Sequence, residues 1–399
     1  MKKYSYYLIL LFIFVRCTGN EDNRGIPILV KSGEFDRLNT LVKFSLPPQI
    51  KSGQLVLEGE SGKIVPVQVH SNTAYFILDS LKAGEERRFR LIPANENKEA
   101  ELQINDDGQR LDFAILNKPI FSYQYQAQLP EPDIDSVYLR DGYIHPLYSP
   151  TEILLTNDYP SNHRHHHGIW SAWTKTEFQG RTPDFWNMAA QTGTVKFSSL
   201  DSTWAGNTHA GFISQHDYID LSGEEPVSAL NETWKVIVHG LPAYENYYLF
   251  DLEVTQQCAT DYPLILPEYR YGGVGFRGHN QWEGAENCYF LTSEGKDRSN
   301  GHATKARWCH IGGYVNDQFS GVAILDHPDN FRAPQPMRIH PGEPFFNYAP
   351  SQGGDWQINP GDTYQAKYRY LIFDGEPDAE YIDRFWNDYA NPVEVQLLK

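Results

Sequence analysis

Four of the chain's 14 histidines fall in one segment, Asn162-His163-Arg164-His165-His166-His167-Gly168-Ile169-Trp170. Imidazole titrates close to neutral pH, so such a cluster offers general acids and bases. Neutral imidazoles also bind divalent cations, and a His-x-His pair is a familiar element of metal sites. Read as an extended strand, the segment puts His163, His165 and His167 on one face and His166 on the other. The bland alternatives are a surface run or core histidines bonded to backbone. Against a simple tag stand the internal position, the interruption by Arg164 and the neighbouring Trp170 and Trp173.

The flanks add polar groups that could converge on the histidines. Arg140 and His145 lie upstream, and Asp184 opens Asp184-Phe185-Trp186-Asn187 downstream. The stretch from Leu266 to His279 mixes Glu268, Arg270 and Arg277 with several glycines, which would let backbone approach a ligand closely. It is not a phosphate loop, because no Gly-Lys-Ser/Thr follows. A last cluster, Gln335 to His340, carries Arg338 and His340. Hydrolase elbows, HExxH and dinucleotide fingerprints are absent from the sequence.

The elements that must position these groups read as β. Residues 28–112 contain short alternating runs at roughly ten-residue spacing with Ser-Gly and Asp-Gly turns, which predicts a small immunoglobulin-like sandwich as an accessory domain. From 113 to 399 the runs lengthen: Tyr248 to Thr255 alternates strictly, as does Lys367 to Phe373. A helix is expected only near the end, where Asp378 can cap a run carrying Ile382, Phe385, Trp386 and Tyr389, stopping before Asn391-Pro392. The fold class is therefore all-β, with a large mutarotase-like supersandwich after the small unit and a short C-terminal helix.

Composition narrows the function. With 34 Lys+Arg against 51 Asp+Glu the 399-residue chain carries a net charge of -17, which disfavours nucleic acid and anionic membrane surfaces as partners. Lys2 and Lys3 precede an apolar run through Val15 that is too short for a bilayer span but suits a signal peptide. Residues 1–16 would be that signal. Cys17 would then be the lipidated first residue of a linker over 17–27, which places the protein in the cell envelope with a lipid anchor as its sole membrane contact. Cys258, Cys288 and Cys309 remain and read as small buried hydrophobes.

Longer motifs carry a resemblance. Ile144 to Pro150, Asn162 to Gly168, Phe178 to Asn187, Leu266 to Gly273, Phe331 to His340 and Trp386 to Tyr389 resemble a bacterial family of uncharacterised proteins often labelled methane oxygenase PmoA-like. The resemblance covers about 115–392. The label conflicts with physics, since a membrane oxygenase subunit needs several apolar spans of ~20 residues and this sequence has none after residue 16. Similar proteins are described as mutarotase-like and accompany sugar-degradation genes. The resemblance thus implies a carbohydrate ligand and a carbohydrate-active enzyme. His165 or His166 would be the acid/base and Glu268 the partner carboxylate, with His163 and His340 beside them. Arg140, Arg270, Arg277 and Arg338 would face an acidic sugar together with His145 and Asp184, and Trp170 and Trp173 would stack on its rings. Lyase or epimerase chemistry suits this set better than hydrolysis, which wants two spaced carboxylates. A divalent cofactor stays open, as does a non-catalytic glycan-binding lipoprotein.

Overall fold

A computed structural model describes residues 25–47, 50, 54–94, 100–128, 133–242 and 245–398. The expected signal and Cys17 lie outside them. Among the described residues no helix is long and apolar enough to cross a membrane.

Two eight-stranded antiparallel sheets pack face to face. The first runs, in spatial order, Met337–Ile339, Phe345–Tyr348, Gly273–Arg277, Ile169–Ala172, Tyr143–Leu147, Lys118–Gln124, Arg110–Ile115 and Leu102–Asp106. The second starts with the long strands Gly193–Trp204, His209–Asp220, Val227–His239 and Tyr247–Cys258. It continues through Tyr364–Asp374, Gln318–Asp326, Trp308–Val315 and Tyr289–Thr292. Alternation decides which side chains meet between them. Trp234, Val236 and Val238 point inward from one strand, and aromatic pairs bridge the layers: Phe121 with Phe250 at 5.1 Å and Tyr348 stacked on Tyr368 at 5.5 Å. Each such buried ring contributes about 1.5–3 kcal/mol, so the interface holds the sandwich together.

One carboxylate is buried inside that interface. Glu232, 1 % exposed, accepts from Ser171 Oγ at 2.8 Å, Gln256 Nε2 at 2.6 Å, Tyr218 OH at 3.0 Å and Trp234 Nε1 at 2.8 Å. His216 Nδ1 lies 3.1 Å from Oε1, the oxygen that Trp234 also reaches. Burial opposes the charge, yet these hydrogen bonds hold its pKa below the ordinary carboxylate value.

The small unit differs from the expectation in its ends. The strand Leu102–Asp106, expected within it, pairs instead with Arg110–Ile115 in the first large sheet. Their inward residues Leu111 and Phe113 belong to the large core. The small unit is a seven-stranded sheet folded over one core that includes Ile28, Leu57, Phe76 and Leu91. Its edge strand comes from the far end of the chain: Glu394–Leu397 pairs antiparallel with Ile26–Lys31.

The helix forms over Ala379–Ala390 with Asp378 accepting from the Glu380 and Tyr381 amides. Ile382 and Phe385 pack on the second sheet beside Trp308 and Leu371. Asp388, on the same helix, pairs with Arg37 of the small unit at 2.8 Å and accepts from Thr40 at 2.7 Å, all three buried. Cys258, Cys288 and Cys309 are free thiols, the latter two buried.

Candidate functional site

Register fixes what the outer face of the first sheet presents. Ile169, Phe276, Phe346 and Ile339 form a row across four strands, and Trp170, Gly275, Asn347 and Arg338 form the next. Ser171 and Tyr348 reach the second sheet, so the row containing Trp170 and Arg338 points away from it. Gly275 is what lets large rings lie on this surface. A Cβ there would meet Trp186 at 2.9 Å and Trp170 at 3.1 Å. The glycines expected to let backbone approach a ligand instead make room for tryptophans, since Gly272 and Gly273 lie against Trp173.

The histidine segment is not extended. Asn157 to Tyr159 pairs back onto His166 to Gly168, and the His163 and His166 amides close successive turns onto Pro160 and His163. Arg164 Nη1 ties the loop to the Tyr159 carbonyl at 2.6 Å. At the loop's exit Gly168 is required, because a Cβ would sit 2.1 Å from the Ile144 carbonyl oxygen. The turns replace the predicted alternation. His163, His165 and His166 now gather on one side, with His163 stacked on His166 at 4.8 Å. His167 turns away, its Nδ1 2.8 Å from Asp158.

This loop roofs a cavity of about 160 Å³. His163, His165, His166, Arg270, Arg338 and His340 line it, joined by Trp186, Asn187, Tyr271 and Phe345. Six of the sequence candidates therefore meet. Burial, first of all, holds every histidine here below its ordinary pKa. His165 and His340 are lowered to about 4, His163 is lowered, and His166 lies well below. All four are neutral at pH 7. Arg270 and Arg338 have no ion pair among the described residues, and Arg338 Nε is buried without a partner. Burial and then the Arg270 charge lower the Arg338 pKa.

The remaining candidates sit elsewhere. Glu268 is exposed and does not line the cavity; its amide donates to Asp355 and its carbonyl accepts from Lys175. Arg140 is 2 % exposed, and its Nη2 donates to the Ser171 carbonyl at 2.7 Å. Trp170 and Trp173 are fully buried, the latter bonded to Gln256, so neither can stack on a sugar from solvent. His145, bonded to Thr156, lines a separate depression of about 520 Å³. Asp184 caps the turn that places Trp186 and Asn187, accepting both backbone amides and the Asn187 side chain. Arg277 lies beneath the histidines, fully buried, with Nη1 3.4 Å from His166 Nδ1.

Two carboxylates near the histidines escaped the sequence reading. Glu283 and Glu343 both pair with Arg277, and Asn162 links Glu343 to the loop at 2.8 Å. Burial and the hydrogen bond with Glu343 raise Glu283 to about 7. Burial works the same way on Glu343, but Glu283 and Arg277 outweigh it and bring that group to about 2. The pair thus holds a shared proton far more tightly than two exposed carboxylates would. The single local signal was the His340-Pro341-Gly342-Glu343 turn, whose amides fold back on the His340 ring.

Among the described residues no three His, Cys, Asp or Glu side chains converge as metal ligands do. No curated protein matches the chain. A family model matches residues 110–387, from the strand that begins at Arg110 into the C-terminal helix, and leaves the small unit outside. The chain belongs to DUF6807, a family of unknown function.

Proposed function

We propose that the protein is a carbohydrate-active enzyme of the cell envelope that moves a proton on a bound sugar, as a lyase or epimerase does. One observation carries the reading: His165 lines the cavity, is neutral, and its ring makes no hydrogen bond among the described residues. A desolvated imidazole with a free lone pair is a general base. Tyr271 complements it. Asn187 Nδ2 lies 3.3 Å from the Tyr271 oxygen and donates to it, Tyr269 neighbours the same hydroxyl, and burial keeps the phenolic proton on the ring. His165 would take the proton from a carbon next to a carbonyl or carboxyl group. Tyr271 would return one, either to the leaving glycosidic oxygen or to the opposite face of that carbon. Trp186 and Phe345 supply the apolar wall. The mutarotase-like architecture read from the sequence agrees with two facing antiparallel sheets. The apolar run before Cys17 supports export and lipid anchoring, and a Cys17→Ser variant should then lose the lipid.

The test is a screen of purified protein on an oligosaccharide panel, followed by mass spectrometry and by ultraviolet absorbance for unsaturated products. Turnover that His165→Gln abolishes sustains the proposal. A second reading, a non-catalytic glycan binder, draws on one fact: among the described residues no carboxylate lines the cavity. Binding without turnover across the panel would decide for it.

A further inference from the structure

The side chains in the cavity divide into hydrogen-bond donors and acceptors, and the division identifies a ligand group. His340 Nδ1 accepts from the amides of Glu343 at 2.9 Å and Gly342 at 3.2 Å. An amide N–H can only donate, so this nitrogen carries a lone pair and the neutral ring carries its proton on Nε2. His166 Nδ1 faces a guanidinium N–H of Arg277, which also can only donate. Its proton too belongs on Nε2. Neither Nε2 has a partner among the described residues, and neither is shut away as a buried orphan atom. Both rings line the cavity, where Arg270 and Arg338 stand without a carboxylate.

We infer that the cavity binds an oxyanion on its ligand, a carboxylate or sulfate group of a sugar, held by Arg270 and Arg338 and by Nε2–H donors from His166 and His340. Two cations and two fixed donors match the lone pairs of a planar or tetrahedral oxyanion. The same tautomers leave His166 and His340 with no Nε2 lone pair for a metal, so the cluster is a poor cation site and a good anion site. The inference rests on the cavity proposed above as the sugar site, and it names the substrate class.

The experiment has two parts. Titration calorimetry on the intact protein compares glucuronate, galacturonate, galactose 6-sulfate, galactose and glucose. At least one charged sugar should bind ten-fold or more tighter than the neutral ones, and Arg338→Gln should remove that difference. A preference for the uronates identifies a carboxylate, and a preference for the sulfate ester identifies a sulfate. Equal binding of charged and neutral sugars, or an unchanged preference in Arg338→Gln, overturns the inference. In the second part, nitrogen-15 shifts of the imidazoles at pH 7 should show His340 protonated on Nε2, and Nδ1 protonation would equally overturn it. Neither part reads turnover. A charged-sugar preference without catalysis therefore sinks the enzyme and spares the inference, whereas turnover of neutral glycans with no such preference does the reverse.

Discussion

At the scale of residues, the pH response separates His165 from its neighbours. A general base works only when unprotonated, and burial lowers this one to about 4. The proposed activity should therefore be level from pH 7 to about 5 and fall roughly ten-fold per unit once the pH passes below 4. A kcat/KM profile whose acid limb centres near 6.5 would assign the base to an ordinary exposed histidine instead. His165→Gln should reduce turnover by about 100-fold or more while moving the Tm by only a few degrees, since the ring has no hydrogen bond among the described residues to lose. Residue type was legible here, because four histidines in five positions announce themselves. Their direction was not. Alternation assumes an extended backbone, and turns closed by the Pro160 and His163 carbonyls send His163, His165 and His166 the same way. Arg140 shows the opposite failure: the long cation that looks like a ligand group lies against the carbonyl of Ser171 in the core.

At the scale of elements, the closing helix does more than cover the second sheet. Its apolar positions were readable from spacing alone, and Asp378 caps it as that spacing requires. Asp388 was not readable, because its partner lies 351 residues away. Arg37→Met should cost about 3–5 kcal/mol in urea denaturation, since it leaves the buried Asp388 carboxylate with Thr40 as its one hydrogen-bond partner among the described residues. Pairing it with Asp388→Leu should recover most of that loss, because a buried ion pair and an apolar pair are close in energy. If the double variant is no better than the single one, the ion pair is not what joins helix to small unit. Gly275→Ala makes a parallel case on the site's floor. The added methyl must push Trp186 or Trp170 aside, at about 1–3 kcal/mol, and should weaken ligand binding along with stability.

At the scale of the whole molecule, acid should work against the fold through two buried histidines. Burial lowers His209 and His310 to about 3, and neither ring is more than 1 % exposed. The folded form therefore wants both neutral, whereas the unfolded chain protonates them near 6.5. Stability present above pH 6.5 is lost as the pH falls through the window down to about 3, each ring contributing up to about 1.4 kcal/mol per unit. Chemical denaturation at pH 7, 6 and 5 reads this directly, and equal midpoints would contradict it. The general architecture was legible, since period-two runs such as Tyr248 to Thr255 can only be strands with one buried face. Which sheet each strand joins was not, because pairing depends on contacts across the whole chain. The strand Glu394–Leu397 shows how far that reaches. While the protein is being made, the strand Ile26–Lys31 must wait with one edge unpaired until Glu394–Leu397 emerges, and an open edge is where chains stick to one another. The same pairing sets Leu397 opposite Ile28, so a short linker from the Leu397 side to the Ile26 side should allow new termini to be opened in an exposed loop. In such a rearranged chain the two partners would be made together, and the long wait would vanish.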